Sequence, residues 1–338
     1  MIKVLIVDDS PIVVKVIAYT LKSDPTIEVI GSVANGMEAL SFIKLHKPDV
    51  ITMDLNMPKM DGITATKEIM SKMPIPIIIV TGGDNEEENA NSFKAIQAGA
   101  VAVVAKPNNK EQSQKLIEMI KLMSEVKVVK QHLKRDKEKE VKSYKTIPLN
   151  HIKIIVIGVS TGGPMVLQQI LQQLKHDHFP PIVIVQHIST GFIQYMATWL
   201  HTTTKIPVTI ASNGLKLKNG MVYLAPDFYH IGINSHLVIT LENTKVNGSR
   251  DQQPSIAFLF RTVAKTFKKE AMGILLTGMG QDGAKELKIL KEVGAITISQ
   301  DESSCIVYGM PKVAKELGAA KYILSPDEIA SLINRINE

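Results

Sequence analysis

The sequence predicts two α/β domains in one chain, and three observations support this. The chain has 338 residues, a length typical of two domains. Short apolar runs alternate with amphipathic stretches over residues 1–124, and the same alternation starts again at Ile152. Between the two blocks lies a charged stretch without apolar periodicity. We therefore expect domains at residues 1–124 and 151–338, joined by a charged linker at 125–150.

The first block consists of five βα repeats. This pattern predicts a parallel sheet covered by helices on both faces, in a flavodoxin-like (βα)5 arrangement. The expected strands are Val4–Val7, Glu28–Val33, Val50–Met53, Ile77–Val80 and Val101–Val104. The expected helices are Pro11–Lys22, Gly36–Lys44, Gly62–Lys72, Glu87–Ala98 and a fifth that starts near Lys110.

The second block predicts a doubly wound α/β domain with a β-rich insert. The expected strands are Lys153–Gly158, Ile182–Gln186, Ala271–Leu276 and Ala295–Ser299. The expected helices are Pro164–Leu174, Phe192–Leu200, Ile256–Thr266 and Asp282–Glu292. Gly and Asn punctuate the strands of the insert, which are Val208–Ala211, Met221–Ala225, Tyr229–Ile233 and Leu237–Leu241.

Composition and charge exclude several classes of protein. No apolar run approaches the ~20 residues of a membrane helix, and the start lacks the pattern of a signal peptide. We therefore expect a cytoplasmic protein without membrane insertion. A single cysteine, Cys305, excludes an internal disulfide and is expected to be a buried structural thiol. The net charge is +6, but eight Lys/Arg and three Asp/Glu between Lys127 and Lys145 account for +5, so no basic face for nucleic acid is expected.

Charged and hydroxyl side chains follow four strands of the first block. Asp8 and Asp9 follow the first strand, and Asp54 follows the third. Because strand ends of a doubly wound sheet face one crevice, these carboxylates should converge and require a hard cation such as Mg²⁺. Thr81 and Lys106 end the fourth and fifth strands and would hold a phosphoryl group. This set suits phosphoryl transfer onto a carboxylate.

The first block resembles the response-regulator receiver family. The resemblance rests on Val7-Asp8-Asp9-Ser10, the run from Met53 to Gly62, Val80-Thr81 and Ala105-Lys106-Pro107. It implies that Asp54 accepts phosphate from a histidine kinase. It also implies that Asp8, Asp9, Asp54 and the carbonyl of Asn56 hold Mg²⁺. Receivers usually have Tyr or Phe where this chain has Val103, so the usual coupling of a threonine to a swinging aromatic ring is absent.

The second block contains a pattern typical of a serine nucleophile. Gly158, Ser160 and Gly162 fit G-x-S-x-G between a strand and a helix. His187, at the end of the next strand, is a candidate base, and it could also be a structural histidine. Asp282 is a candidate orienting acid, a helix N-cap, or both. His230 and Asp301 are the reserve base and acid. The order Ser…His…Asp disfavours the α/β-hydrolase superfamily.

The second block looks like the chemotaxis protein-glutamate methylesterase family (CheB). The segments that carry the resemblance include Ser160–Pro164, Gln186-His187, Ala225-Pro226, Tyr229-His230, Pro254-Ser255, Thr277–Ala284, Gln300–Glu302 and Tyr308–Pro311. The resemblance implies a Ser160–His187–Asp282 triad without a cofactor and oxyanion donors near Met279. It further implies receptor glutamine deamidation and methyl-accepting chemotaxis receptors as substrates. Gln252-Gln253 and Ala257 stand where the family often has His-Arg and Asp.

Three other functions compete with this interpretation. A DNA-binding output would need a helix-turn-helix, whereas residues 152–338 alternate strands and helices. A nucleotide-binding module would use the loop at Gly162-Gly163 and would leave the motifs of His187 and Asp282 without a role. A non-enzymatic adaptor would keep the fold without needing a complete triad.

Overall fold

The structure, a computed structural model, describes residues 1–82, 86–125, 149–175, 179–243 and 253–336. The chain forms two compact units, Met1–Lys137 and Glu138–Glu338, and each contains its own parallel sheet. The predicted linker at 125–150 falls almost wholly outside the described residues. Within the described ranges, no helix combines the length and the apolar composition needed to cross a bilayer.

The first unit is built on a five-stranded parallel sheet in the order β2-β1-β3-β4-β5. Strands β3 and β4 are buried along their whole length and β1 is buried over its last four residues, so these segments consist mainly of apolar residues. Because β1 pairs directly with β3, the residues after these two strands are neighbours, as expected. The strands are β1 (Ile2–Val7), β2 (Ile27–Val33), β3 (Val50–Met53), β4 (Ile77–Thr81) and β5 (Ala102–Ala105).

Side-chain caps fix the starts of most helices in the first unit. Ser10, Asn35, Asp61 and Asn109 each accept a hydrogen bond from a backbone N–H of the first turn, which satisfies a donor that has no partner within the helix. The helices are α1 (Pro11–Lys22), α2 (Gly36–Leu45), α3 (Gly62–Lys72), α4 (Glu86–Gln97) and α5 (Lys110–Ser124).

The second unit has a seven-stranded parallel sheet in the order β14-β13-β12-β6-β7-β9-β8 and a separate antiparallel hairpin, β10-β11. The strands are β6 (Ile154–Val159), β7 (Ile182–Gln186), β8 (Val208–Ile210), β9 (Val222–Leu224), β10 (His230–Ile233), β11 (Ile239–Glu242), β12 (Ala271–Leu275), β13 (Ile296–Gln300) and β14 (Tyr322–Leu324). The helices are α6 (Gly163–Leu171), α7 (Ile193–Thr204), α8 (Ile256–Phe267), α9 (Ala284–Glu292), α10 (Met310–Glu316) and α11 (Pro326–Asn334).

The structure confirms the α/β class of both units and refines the second. Of the four strands assigned to a β-rich insert, β8 and β9 extend the main sheet in parallel, and β10 and β11 form the hairpin. The predicted α6 was too long, and the predicted α7 too short. The sequence analysis missed α10, β14 and α11.

The strand order of the second sheet determines where its loops meet. The chain runs from β6 outward through β7, and then returns to the other side of β6 with β12. Ligands of open α/β sheets bind at such a reversal, outside the carboxyl ends of the strands. The loops that follow β12, β6 and β7 therefore form one continuous edge.

Candidate active site

Three predicted residues of the first unit meet at the carboxyl edge of its sheet. The Lys106 Nζ lies 2.7 Å from Asp54 Oδ1 and 3.2 Å from Asp8 Oδ2. Both carboxylates are buried. The ammonium of Lys106 therefore lies between two carboxylates that would otherwise repel each other.

The environment of this cluster shifts two pKa values. Burial is the largest influence on Asp54 and raises its pKa, and the charge of Asp8 acts in the same direction. The hydrogen bond and the charge of Lys106 lower the pKa of Asp54 but do not offset the burial. Burial by itself would lower the pKa of Lys106, but its contacts with Asp54 and Asp8 raise the pKa above its usual value. Lys106 therefore remains charged at neutral pH.

The two other expected magnesium ligands lie at the surface. Asp9 and Asn56 are exposed, and the Asn56 N–H donates a 3.0 Å hydrogen bond to Asp54 Oδ2. Over the part of the chain that the structure describes, no group of three or more His, Cys, Asp or Glu side chains is arranged to hold a metal. The donor set still fits Mg²⁺, which commonly takes one or two carboxylates and keeps several waters. Asp8 and Asp54 supply two buried carboxylates.

The Thr81 side chain contacts helix α4. Its hydroxyl donates a 3.0 Å hydrogen bond to Glu88 Oε2, seven residues further along the chain. Val103, at the position where an aromatic residue was expected, is buried in β5. The threonine thus has a defined partner on α4, which the sequence analysis did not identify.

Ser160 lies in the tight turn between β6 and α6. Gly162 has φ +79°, and a Cβ at Gly163 would lie 2.2 Å from Gln186 Oε1. Only glycine fits the chain at these two points. Ser160 is partly exposed, and among the described side chains its hydroxyl has no hydrogen-bond partner. Its Oγ is therefore accessible to a substrate.

Gln186 joins the turn of Ser160 to the loop of His187. Its buried side-chain amide donates 2.8 Å hydrogen bonds to the carbonyl oxygens of both residues. The backbone N–H of His187 also donates to the Val159 carbonyl, at 3.0 Å. These bonds hold the candidate nucleophile and the candidate base at adjacent strand ends.

His187 and Asp282 form the predicted pair. The His187 Nε2 lies 3.1 Å from Asp282 Oδ2, and the imidazole is largely buried. This distance is within the range of a hydrogen bond, although the angle at the ring nitrogen falls outside hydrogen-bond geometry. This orientation leaves Nδ1 as the nitrogen available to Ser160.

Asp282 lies at the N-terminus of α8, a helix that does not follow it in sequence. Its Oδ2 accepts from the Ile256 N–H at 2.8 Å, and its Oδ1 accepts from the Ala257 N–H at 3.0 Å and from Ser255 Oγ at 3.2 Å. Burial would raise the pKa of Asp282, but the contact with His187 and the two backbone amides outweigh burial and lower it. Asp282 therefore stays ionised at neutral pH.

Of the alternatives left open for Asp282, a cap of its own helix is excluded by the structure. Helix α9 starts after Gly283, which has φ +80° and is the N-cap residue without a side-chain hydrogen bond. The Asp282 carboxylate instead accepts from the first amides of α8.

The loop from Thr277 to Met279 lies against Ser160. The Thr277 carbonyl accepts a 3.0 Å hydrogen bond from the Ser160 N–H, and a Cβ at Gly278 would lie 2.5 Å from the Ser160 Cβ. Met279 follows directly and is 44% exposed. In the described ranges its backbone N–H donates to no acceptor. This N–H is therefore not engaged by another group in the described part of the chain, and the oxyanion role of Met279 stays a prediction.

The two reserve candidates, His230 and Asp301, are engaged in contacts typical of residues with a structural role. His230 is fully buried, accepts a hydrogen bond from the Ser255 N–H at Nδ1 and stacks on Phe258. Asp301 accepts hydrogen bonds from the hydroxyls of Ser303 and Ser304. Burial, followed by the charges of Asp301 and Glu302, raises the pKa of Cys305, so its thiol stays protonated and is a poor nucleophile.

The sequence analysis assigned no role to four residues that contact the site. They are Glu88, Gln186, Ser255 and Thr277. A serine directly before an apolar-periodic stretch is a helix-start signal, which could have identified Ser255 as a cap. Its contact with Asp282, 27 residues away, depends on tertiary packing.

Comparisons with known families define the class of this protein. Residues 4–120 match the family described as response regulator receiver domain, and residues 155–333 match CheB methylesterase. The chain is therefore a response regulator whose output unit is an enzyme.

Full-length relatives identify the family. Relatives named protein-glutamate methylesterase/protein-glutamine glutaminase from Geobacter metallireducens and Nitrosospira multiformis are each 44% identical, over 99% of this chain and 99% and 97% of theirs. A Methanospirillum hungatei relative of the same name is 43% identical over 100% of this chain and 99% of its own. The chain belongs to the protein-glutamate methylesterase (CheB) family.

A solved structure agrees with this assignment. The crystal structure of the Thermotoga maritima CheB methylesterase catalytic domain is 35% identical, with a TM-score of 0.51. It aligns over 54% of this chain and 99% of that domain. The likeness extends the family assignment to the fold of the second unit.

Proposed function

We propose that this chain hydrolyses glutamate γ-methyl esters on methyl-accepting chemotaxis receptors, in a catalytic domain of residues 151–338, and that a receiver domain of residues 1–124 regulates it. The names of its full-length relatives support this activity. The observation that carries the proposed chemistry is the His187–Asp282 contact of 3.1 Å, beside the turn that presents Ser160.

In the proposed acylation step, Ser160 Oγ attacks the γ-carbonyl carbon of the ester while His187 takes the hydroxyl proton at Nδ1. Asp282 stabilises the imidazolium and holds the ring orientation. The tetrahedral intermediate places its negative oxygen near the Met279 N–H, an interaction of a kind often worth about 3 kcal/mol. Collapse breaks the ester C–O bond, and the leaving oxygen takes the proton from His187 and departs as methanol.

Deacylation regenerates the enzyme by the same groups. His187 removes a proton from a water that attacks the acyl-serine. The bond between Ser160 Oγ and the carbonyl carbon then breaks, His187 returns the proton to Ser160 Oγ, and glutamate and free serine result. On a receptor glutamine the first leaving group would be ammonia, so the same residues would perform deamidation. None of these steps requires a cofactor.

We propose Asp54 as the phosphorylated residue, with a histidine kinase as the phosphodonor. Asp8, Asp9, Asp54 and the Asn56 carbonyl would hold Mg²⁺, which neutralises charge on a transferring phosphoryl group. Lys106 already contacts Asp54 and would move its ammonium to a phosphoryl oxygen. Thr81 would exchange Glu88 for the phosphoryl group.

The proposed regulation of the esterase by the receiver is motivated by the presence of both units on one chain. In our proposal the unphosphorylated receiver inhibits access to Ser160, and phosphorylation of Asp54 shifts the population toward accessible states. The reaction would take place in the cytoplasm, where the kinase and the methylated receptor helices are found. The chain would bind no nucleic acid, since most of its positive charge is confined to residues 127–145.

The test is release of radiolabelled methanol from methylated receptor membranes. Wild type, Ser160→Ala and Asp54→Ala are compared with and without a small phosphodonor and Mg²⁺. We expect release that requires Ser160 and that increases with phosphodonor only when Asp54 is present. Full activity of Ser160→Ala would exclude the proposed nucleophile, whereas release that ignores the phosphodonor would exclude the regulation alone.

A further inference from the structure

The N-terminus of α8 holds the candidate acid of the triad. The two oxygens of Asp282 divide their contacts: Oδ2 accepts from the Ile256 N–H and faces His187, while Oδ1 accepts from the Ala257 N–H and from Ser255 Oγ. Because Oδ1 has two donors of its own, Oδ2 is kept toward His187. The orientation of the acid thus depends on donors at a helix end, which the proposed reaction does not itself use.

Ser255 supplies the one side chain among these donors. Its Oγ accepts a 3.3 Å hydrogen bond from the Phe258 N–H, as the N-cap of α8, and lies 3.2 Å from Asp282 Oδ1. A hydroxyl has one proton. With the Phe258 N–H bound to a lone pair, that proton is free to point at Asp282. The capping bond therefore directs the Ser255 hydroxyl toward the carboxylate.

The backbone of Ser255 is held in place by a hydrogen bond to His230. Its backbone N–H donates a 3.2 Å hydrogen bond to Nδ1 of His230, a residue with no exposed surface. The His230 ring stacks on Phe258, with centroids 4.9 Å apart and planes at 18°. Accepting at Nδ1 places the ring proton on Nε2. A buried, stacked imidazole thus sets the backbone position of the serine.

We propose that Ser255 is a positioning residue for the esterase reaction: its hydroxyl holds Asp282 in the rotamer that presents Oδ2 to His187. The inference rests on the proposed Ser160–His187–Asp282 mechanism and adds to it a residue whose described hydrogen bonds go to Asp282, His230 and Phe258. Without the hydroxyl, Oδ1 keeps only the Ala257 N–H, and the carboxylate is freer to rotate. The loss should affect turnover more than substrate binding.

A second serine of the same unit provides a matched control. Ser325 is the N-cap of α11 and accepts from the Glu328 N–H at 3.3 Å, the same distance as in the α8 cap. Its other side-chain contact is with Glu328 in its own capping box. Ser325→Ala therefore removes an equivalent cap without touching Asp282.

The experiment measures initial rates of methanol release from methylated receptor membranes over a range of membrane concentrations, using the intact chain. For Ser255→Ala we expect kcat to fall about tenfold with KM unchanged, the order of effect of a slightly misplaced catalytic group. Ser255→Thr, which keeps the hydroxyl, should restore kcat. Ser325→Ala should match wild type in kcat while showing a similar fall in melting temperature.

A glycine variant separates capping from positioning. Glycine is well tolerated at an N-cap, so Ser255→Gly should fold even if the alanine variant does not. Its kcat should fall as far as that of Ser255→Ala. Unchanged kcat in Ser255→Gly, or a loss of kcat in Ser255→Thr as large as in the alanine variant, would overturn the role of the hydroxyl. Activity in Ser160→Ala, measured alongside, would instead overturn the underlying mechanism.

Discussion

Asp54 is a buried carboxylate beside a second buried carboxylate, Asp8, and the two share contacts with the Lys106 ammonium. Burial raises the pKa of Asp54, so ionising this side chain costs stability in the folded protein. A carboxyl group whose pKa is shifted by burial and by a neighbouring charge is typical of functional sites. Removing the charge should therefore stabilise the fold and, under our proposal for Asp54, also abolish phosphorylation.

We predict that Asp54→Asn raises the melting temperature of the first unit at pH 7 without Mg²⁺, on the order of 3 °C. The sign follows from the direction of the shift. Because the pKa of Asp54 is raised on folding, its cost is present above that pKa and disappears as pH falls below the ordinary carboxyl value. The gain should shrink with acidification. Calorimetry of the intact chain, with Mg²⁺ added to identify the receiver transition, measures it.

Asp24 provides the control of opposite sign. The hydrogen bond from Lys121, which lies 2.6 Å from Asp24, lowers the pKa of this carboxyl to about 2. Its stabilising contribution is present above the ordinary carboxyl pKa and is lost as pH falls toward about 2. Asp24→Asn should thus lower the same transition at pH 7. If both variants shift it in the same direction, the electrostatic account of Asp54 is wrong.

Gly278 is a position where adding a single carbon atom would produce a steric clash with Ser160. It has φ +158°, and a Cβ there would lie 2.5 Å from the Ser160 Cβ and 2.7 Å from Met310 Cε. We predict that Gly278→Ala displaces the Ser160 turn and lowers esterase kcat about 100-fold, as expected for a misplacement near 1 Å. Methanol release measures the loss.

Gly280 separates steric displacement from backbone strain. It also has a positive φ, +82°, but nothing lies within 4 Å of a Cβ placed there. Gly280→Ala should therefore strain the loop while leaving most of the activity. If the two alanine variants lost activity equally, strain of the loop would explain the effect and contact with Ser160 would not.

At the scale of elements, our proposal assigns the response of the receiver to helix α4, which contacts Thr81 through Glu88. Thr81 Oγ1 donates to Glu88 Oε2, so in our proposal a phosphoryl group on Asp54 would compete with Glu88 for the hydroxyl. Moving Thr81 toward the phosphoryl group would release α4 from the end of β4. Under this proposal, an aromatic ring at Val103 would not be required to transmit the change.

We predict that Glu88→Ala makes the protein easier to activate. Loss of one hydrogen bond worth about 1 kcal/mol should lower the phosphodonor concentration for half-maximal activation about fivefold. Glu87→Ala is the matched control, since Glu87 is exposed in the same turn of α4. Methanol release at graded phosphodonor concentrations distinguishes them. Identical curves for wild type and both variants would show that Thr81 is not restrained by Glu88.

Local signals predicted elements well where they were strong. The bounds of α1 and α3 were predicted to the residue, because Ser10 and Asp61 cap them and apolar periodicity continues to Lys22 and Lys72. The shared sheet of β8 and β9 was not predicted, since strand pairing depends on long-range contacts. Helix α10 is only seven residues long and therefore too short for a periodic pattern.

The same distinction applies to the candidate site: features with a local sequence signal were predicted, and contacts that depend on tertiary packing were not. Glycine patterns and strand ends placed Ser160, His187 and Asp282 correctly on one sheet edge. The hydrogen bonds of Ser255 with His230 and with Asp282 join residues 25 and 27 positions apart, so they could not be predicted from local spacing. The contact between Asp282 and the N-terminus of α8 was not predicted, because Asp282 precedes a different helix, α9, in the sequence.

At the scale of the whole molecule, two units with separate sheets and separate sites share one chain. A phosphoryl group on Asp54 could change the rate of ester hydrolysis at Ser160 only if the conformational equilibria of the two units were coupled. Our proposal is that this coupling is inhibitory in the unphosphorylated state. The proposal therefore predicts how the activity changes when the first unit is removed.

We predict that a fragment of residues 147–338 releases methanol faster than the unphosphorylated intact chain and does not respond to phosphodonor. If the receiver limits access to Ser160, its removal should raise the activity at least to that of the phosphorylated intact chain, because no closed population remains. The same fragment with Ser160→Ala gives the background rate. Equal rates for the fragment and the unphosphorylated chain would exclude inhibition. A slower fragment would mean that the receiver domain instead contributes positively, by recruiting the receptor or by completing the site.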